Sequence, residues 1–193
     1  MADKKVILVA CGSAAVDADG AALKKFMKKT ATVASFENAD VVAAASAIEG
    51  AAVVAPEGIA KVFEEDGAYA VVDLGDVDGA ALEAAIAEIS GAADRRTMIV
   101  LAANEGLYFA GLGVNKKAGK VERSANAADI IATICYVADL PVPADCTGGV
   151  LYQILKDPNM KIKEVTKLKE ALARMEVALQ RDNREPWDKH DCA

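Results

Sequence analysis

Short apolar runs alternate with amphipathic stretches through the first half of this chain. Residues 5–10, 31–36, 51–55, 69–74 and 97–102 are rich in Val, Ile, Leu and Ala and are bounded by polar or Gly-containing segments, which predicts strands. Several are apolar throughout rather than at every second position, the pattern of strands buried on both faces. Helical spacing fills the gaps. Residues 19–29 are amphipathic, 38–48 open with Asn38 as a cap, 56–66 start with Pro56 at an early helical position, and 78–89 carry Leu82, Ile86 and Ile89 on one face. Strand-helix repetition of this kind predicts an α/β fold with a three-layer α/β/α arrangement, a mostly parallel sheet covered by helices on both faces.

After Asn104 the rhythm changes. Residues 107–114 are punctuated by Gly111 and Gly113, and the polar stretch 115–120 contains Gly119, so a turn or hairpin is expected there and the sheet edge is placed nearby. The glycines of Gly111-Leu112-Gly113 read as bulge or edge positions. Residues 126–140 then form a helix burying Ile130, Ile131, Ile134 and Val137, ended by Pro141 and Pro143.

The C-terminal segment 161–183 is of another kind. Val165, Leu168, Leu172, Met175 and Leu179 recur at alternating spacings of three and four, with Lys, Glu and Arg between them, which is a heptad stripe. Two readings follow: an amphipathic helix lying on its own domain, or a self-association device that makes the chain a homo-oligomer, with a dimer favoured by closed two-fold symmetry. The expected organisation is a core domain over 1–160 followed by a C-terminal amphipathic helix and polar tail over 161–193.

With 193 residues the chain has the size of one domain plus trimmings. Its 53% hydrophobic but only 5% aromatic content requires a core of Ala, Val, Ile and Leu. A net charge of −7 argues against nucleic acid as a partner, because that binding draws on Lys and Arg at phosphates. The apolar residues that follow Lys4 and Lys5 are too few for a signal-peptide core, and no apolar run approaches the roughly 18 residues of a membrane helix. Cys11, Cys135, Cys146 and Cys192 show no paired metal-ligand spacing. The expectation is a cytoplasmic protein with reduced thiols and no membrane partner.

The most specific stretch is 128–151. Asp129-Ile130-Ile131-Ala132-Thr133, then Asp139-Leu140-Pro141-Val142-Pro143, then Thr147-Gly148 follow in the order found near the C-terminus of alkaline-phosphatase superfamily members such as sulfatases, phosphodiesterases and cofactor-independent phosphoglycerate mutases, with Ala132 where the family has Pro. The chain resembles a minimal core of that superfamily. Three strand ends upstream extend the resemblance. Cys11-Gly12 stands where the family's opening strand ends in Asp-Gly. Asp76, Val77, Asp78, Gly79 and Ala80 are similar to its D-x-x-G-H turn, with Ala80 in place of His. Asn104-Glu105-Gly106 stands for Asp-His-Gly in its S-D-H-G strand end. The resemblance implies a cleft built from Cys11, Gly12, Asp76, Asp78, Asn104 and Glu105.

Chemistry in that superfamily uses two cations held by several Asp and His side chains, one of which activates a Ser or Thr nucleophile. Here the sole His, His190, lies in the C-terminal tail outside the resembling part, and Ser13, Thr30, Thr32 and Ser35 match no nucleophile motif. Nor does the stretch between Cys11 and Tyr69 have room for the family's large insertion. The resemblance therefore implies a pseudoenzyme: no catalytic residue, no metal and no cofactor. Two alternatives stay open. One is a phosphate-ester hydrolase or mutase with an altered single-metal or cysteine site using Cys11, Asp76 and Glu105. The other is a module binding a small anion or nucleotide at strand ends, where Cys11-Gly12-Ser13 offers backbone amides and Asp73, Asp76 and Asp78 form an acidic turn. That acidic turn has a plainer use as the cap of the helix that follows it.

Overall fold

The computed structural model describes residues 4–12, 16, 20–37, 40–104 and 106–182. Asn38, Ser13, Glu105, His190 and Cys192, each named above, and position 19 at the start of the stretch 19–29 lie outside the described residues. Two compact units are present, Met1–Lys156 and Asp157–Ala193.

In the first unit, seven strands make one sheet: β1 (Lys5–Ala10), β2 (Ala31–Phe36), β3 (Ala51–Val53), β4 (Tyr69–Asp73), β5 (Thr97–Ala103), β6 (Gly106–Gly111) and β7 (Lys120–Ala125), in the order β3-β4-β1-β5-β6-β2-β7. All neighbours pair in parallel except β6, which runs antiparallel to both β5 and β2. The helices are α1 (Ala21–Met27), α2 (Val41–Ser46), α3 (Ile59–Glu64), α4 (Gly79–Ala92) and α5 (Ala127–Ala138). Every residue of β1 and β5 is buried, as expected for central strands covered on both faces. On one face Ile7, Val9, Ala70, Val72, Ile99 and Leu101 pack with Leu23 and Phe26 of α1, Ile59 and Phe63 of α3, and Leu82, Ile86 and Ile89 of α4. Strand alternation sends Val6, Leu8, Val71, Met98 and Val100 to the other face, all fully buried. There α5 contacts β1 and α2, and α2 contacts β4. The fold is thus a three-layer α/β/α arrangement.

Several boundaries move from the sequence expectation. The glycine-punctuated stretch is not the sheet edge: β6 is an interior strand, and the edge is β7, whose alternating exposed and half-buried residues carry Lys120, Glu122 and Arg123. A strand with one solvated face lacks the continuous apolar run that betrays the central strands. The turn at 115–119 exists, with Ala118 N–H donating to the Asn115 carbonyl, yet it leads to β7 pairing in parallel with β2 rather than to a hairpin. Gly111 closes β6 at φ +87, where an added Cβ would sit 2.1 Å from the Thr97 carbonyl oxygen. The helix expected over 56–66 is a 3-10 turn, Pro56–Gly58, continuing into α3. Helix α2 starts after Asp40, which stands at the N-cap position in a left-handed conformation, φ 54, without a side-chain cap hydrogen bond, and α5 ends at Asp139, φ 61, before either proline.

Tyr69 is fully buried, and among the described residues its hydroxyl has no hydrogen-bond partner. Burial, with a smaller contribution from the Cys135 thiol, pushes its ionisation far above the usual phenol range. Removing a buried unpaired donor relieves a desolvation penalty, so Tyr69→Phe is expected to leave stability unchanged or raise it by up to about 2 kcal/mol in urea unfolding. A loss above about 1 kcal/mol would mean that the hydroxyl is bonded in solution.

The second unit holds α6 (Met160–Asp182). Lys163 Nζ bonds Asp157 Oδ2 at 2.6 Å just before it, and that hydrogen bond holds the Asp157 carboxyl below the usual carboxylate range. Val165, Leu168, Leu172, Met175 and Leu179 are all exposed. Among the described residues no helix is long and apolar enough to cross a membrane.

Candidate functional site

Because β4, β1 and β5 are adjacent and parallel, their C-terminal ends lie side by side. The backbone stitches them together: Leu74 N–H donates to the Ala10 carbonyl, Cys11 N–H to the Ala102 carbonyl at 2.8 Å, and Gly12 N–H to the Gly75 carbonyl at 2.7 Å. Open α/β sheets place ligands at this edge. A cleft of about 490 Å³ opens there, lined by Ala10, Cys11, Gly12, Asp73 and Gly75 from the two strand ends and by Asp40, Val41, Val42 and Ala43 from the start of α2.

The residues singled out from sequence divide into three groups. Cys11 and Gly12 line the cleft, with Cys11 buried. Asp76 lies against Gly12, since a Cβ added to Gly12 would stand 2.2 Å from Asp76 Oδ1. Asp78 is spent elsewhere: its Oδ1 accepts from Ala81 N–H at 2.8 Å and caps α4, the plainer of its two readings. Asn104 follows β5 in the turn to β6 and does not line the cleft, and Glu105 lies outside the described residues. Asp73 Oδ1 accepts from Gly75 N–H at 2.9 Å, which fixes the turn in which Gly75 adopts φ +57. Asp40 was invisible to sequence reasoning, because only the return of the chain from β2 to the far edge of the sheet carries α2 past β1 and β4.

Two exposed carboxylates, Asp40 and Asp73, thus share the cleft lining with the buried Cys11, and a third, Asp76, stands beside Gly12. Their charge disfavours an anion at this mouth. Among the described residues no group of three His, Cys, Asp or Glu is placed to hold a metal ion. The donor set that the resemblance would require for two cations also does not fit, because Ala80 has no donor atom and Asn104 offers only a neutral amide. Thr30 is unsuited as a nucleophile: it precedes β2, at the opposite end from that strand's C-terminus, and its Oγ1 donates to the Met27 carbonyl at 2.9 Å.

The segment carrying the strongest resemblance is built as a clamp. Asn126 and Asp129 form a capping box at the start of α5. Asp129 Oδ1 also accepts from Gly149 N–H at 2.7 Å and stands 3.7 Å from Arg123 Nη2. Thr133, fully buried, donates from Oγ1 to the Asp129 carbonyl at 2.7 Å and accepts from Leu151 N–H at 2.9 Å. Gly148 presses on the helix so closely that a Cβ there would be 2.1 Å from the Ala128 carbonyl. Asp129, Thr133 and Gly148 therefore tie the chain after α5 back onto its first turn. The Cys135 thiol on this helix is raised to about 11, chiefly by burial and then by Cys146, so it is protonated and inert at neutral pH. Compared with known proteins, the chain matches no protein-family model and no curated protein sequence.

Proposed function

We propose that the chain is a non-catalytic relative of the alkaline-phosphatase superfamily, a scaffold that keeps the strand-end architecture and self-associates through α6. One observation carries this reading. The strand ends that the resemblance equates with the family's ligand positions are neighbours at one edge of the sheet, yet by sequence these positions carry Cys11, Asp76, Ala80, Asn104 and Glu105, of which only Asp76 and Glu105 are hard carboxylate donors and none is the His that the family uses. The acidic lining from Asp40 and Asp73, with Asp76 beside Gly12, weighs against the anion- or nucleotide-binding alternative.

The test is metal analysis of protein incubated with Zn²⁺, Mn²⁺ or Mg²⁺ and desalted, together with turnover of p-nitrophenyl phosphate and bis-p-nitrophenyl phosphate. The expected outcome is no stoichiometric metal and no turnover above buffer. A metal-dependent rate that disappears in Asp76→Ala would overturn the reading in favour of a single-metal hydrolase.

A further inference from the structure

We infer that α6 pairs with a second copy of itself as a parallel, in-register two-stranded coiled coil, a conclusion that rests on the self-association just proposed and specifies its geometry. Val165 is 49% exposed, Leu168 65%, Leu172 59%, Met175 61% and Leu179 60%. Isolated exposed apolar residues need no explanation, but five at 3-4-3-4 spacing form a seam. In heptad terms Val165, Leu172 and Leu179 take a positions and Leu168 and Met175 take d positions. Every a and d position from 165 to 179 is a large apolar residue, flanked by Ala171 and Ala178 at g, with Ile162 at an e position and Val177 on the outer face.

Register follows from which layers each arrangement preserves. In the parallel, in-register pair all five apolar layers meet their own copies, and Glu164 at g faces Lys169 at e of the other strand, twice by symmetry. An antiparallel pair that alternates a with d can oppose Lys169 to Glu176, but it then keeps only four apolar layers and sets Val165 against position 182, an aspartate. Shifting that pair by one heptad restores the Val165 layer but opposes Leu179 to Lys161 and brings Lys169 against its own copy. Only the parallel pair combines an uninterrupted seam with attractive flanking charge.

The experiment uses the full chain with Cys146→Ser and Cys192→Ser, so that an added thiol is read without interference. Sedimentation equilibrium is expected to give a dimer. Leu168→Cys is expected to form an interchain disulfide under mild oxidation and run at twice the chain mass without reductant. Lys169→Glu is expected to raise the dimer dissociation constant about tenfold, and adding Glu164→Lys to restore it. A dimer that neither cross-links through position 168 nor recovers in the charge-swapped pair overturns the parallel register while leaving self-association standing. A monomer overturns both, and a monomer that co-sediments with phosphatidylserine vesicles assigns the seam to a membrane surface instead.

Discussion

Glu83→Ala is expected to destabilise the first unit by about 3 kcal/mol, because it removes two charge-assisted hydrogen bonds from one helix terminus. Helix α1 begins after Gly20, has no side-chain cap and has no acidic residue in its first turn. Its second and third amides are satisfied from α4: Glu83 Oε1 accepts from Ala22 N–H at 2.6 Å and Oε2 from Leu23 N–H at 2.8 Å. The carboxylate thereby serves as an N-cap and places negative charge at the positive end of the α1 dipole. It also fixes α1 against α4, the contact through which Leu23 and Phe26 meet Leu82 and Ile86. Glu83→Gln keeps an acceptor but loses the charge, and about half the loss is expected. Gly20 belongs to the same unit, since a Cβ there would lie 2.0 Å from Glu83 Oε2 and 2.1 Å from its Cδ. Gly20→Ala should therefore be costly in the native background and nearly silent in Glu83→Ala, a coupling that urea unfolding of the four proteins measures. Additive losses would show that Gly20 and Glu83 act separately.

This pairing also shows where sequence reading stops. The central strands were legible because burial on both faces forces an uninterrupted apolar run, and β1, β4 and β5 announce themselves in that way. β7 went unassigned because an edge strand alternates, and Lys120, Glu122 and Arg123 leave no continuous apolar run there. The interior position of β6 depends on β2 crossing to its far side, a non-local pairing with no local signature. At the strand ends, Cys11, Gly12 and Asp76 were singled out through the resemblance, at the close of apolar runs that mark β1 and β4. Asp40 joins them only through α2, and Glu83 meets α1 across 60 positions of chain. Such contacts are products of topology, so no local pattern encodes them.

Two glycines that both reject a Cβ in the static structure are expected to respond in opposite ways. At Gly12 the obstruction is Asp76 Oδ1, the tip of an exposed side chain that can swing into water, so Gly12→Ala should cost less than about 1 kcal/mol. At Gly148 the obstruction is backbone: a Cβ would lie 2.1 Å from the Ala128 carbonyl carbon and oxygen and 2.5 Å from the Asp129 nitrogen. No rotamer relieves that overlap, so Gly148 must withdraw from α5, and the Gly149 bond to Asp129 Oδ1 and the Leu151 bond to Thr133 Oγ1 lengthen with it. The Leu151 amide would then be left unpaired inside the protein, and Gly148→Ala is expected to cost about 3 kcal/mol. Asp129→Ala should cost a similar amount, about 3 kcal/mol, because it removes half of the capping box and strands the Gly149 amide. Combined, the two substitutions should cost clearly less than their sum, since each breaks the same clamp. If Gly148→Ala unfolds at the urea concentration of the unaltered protein, segment 147–151 is not held against α5 in solution, and the clamp described for Asp129 and Thr133 does not exist.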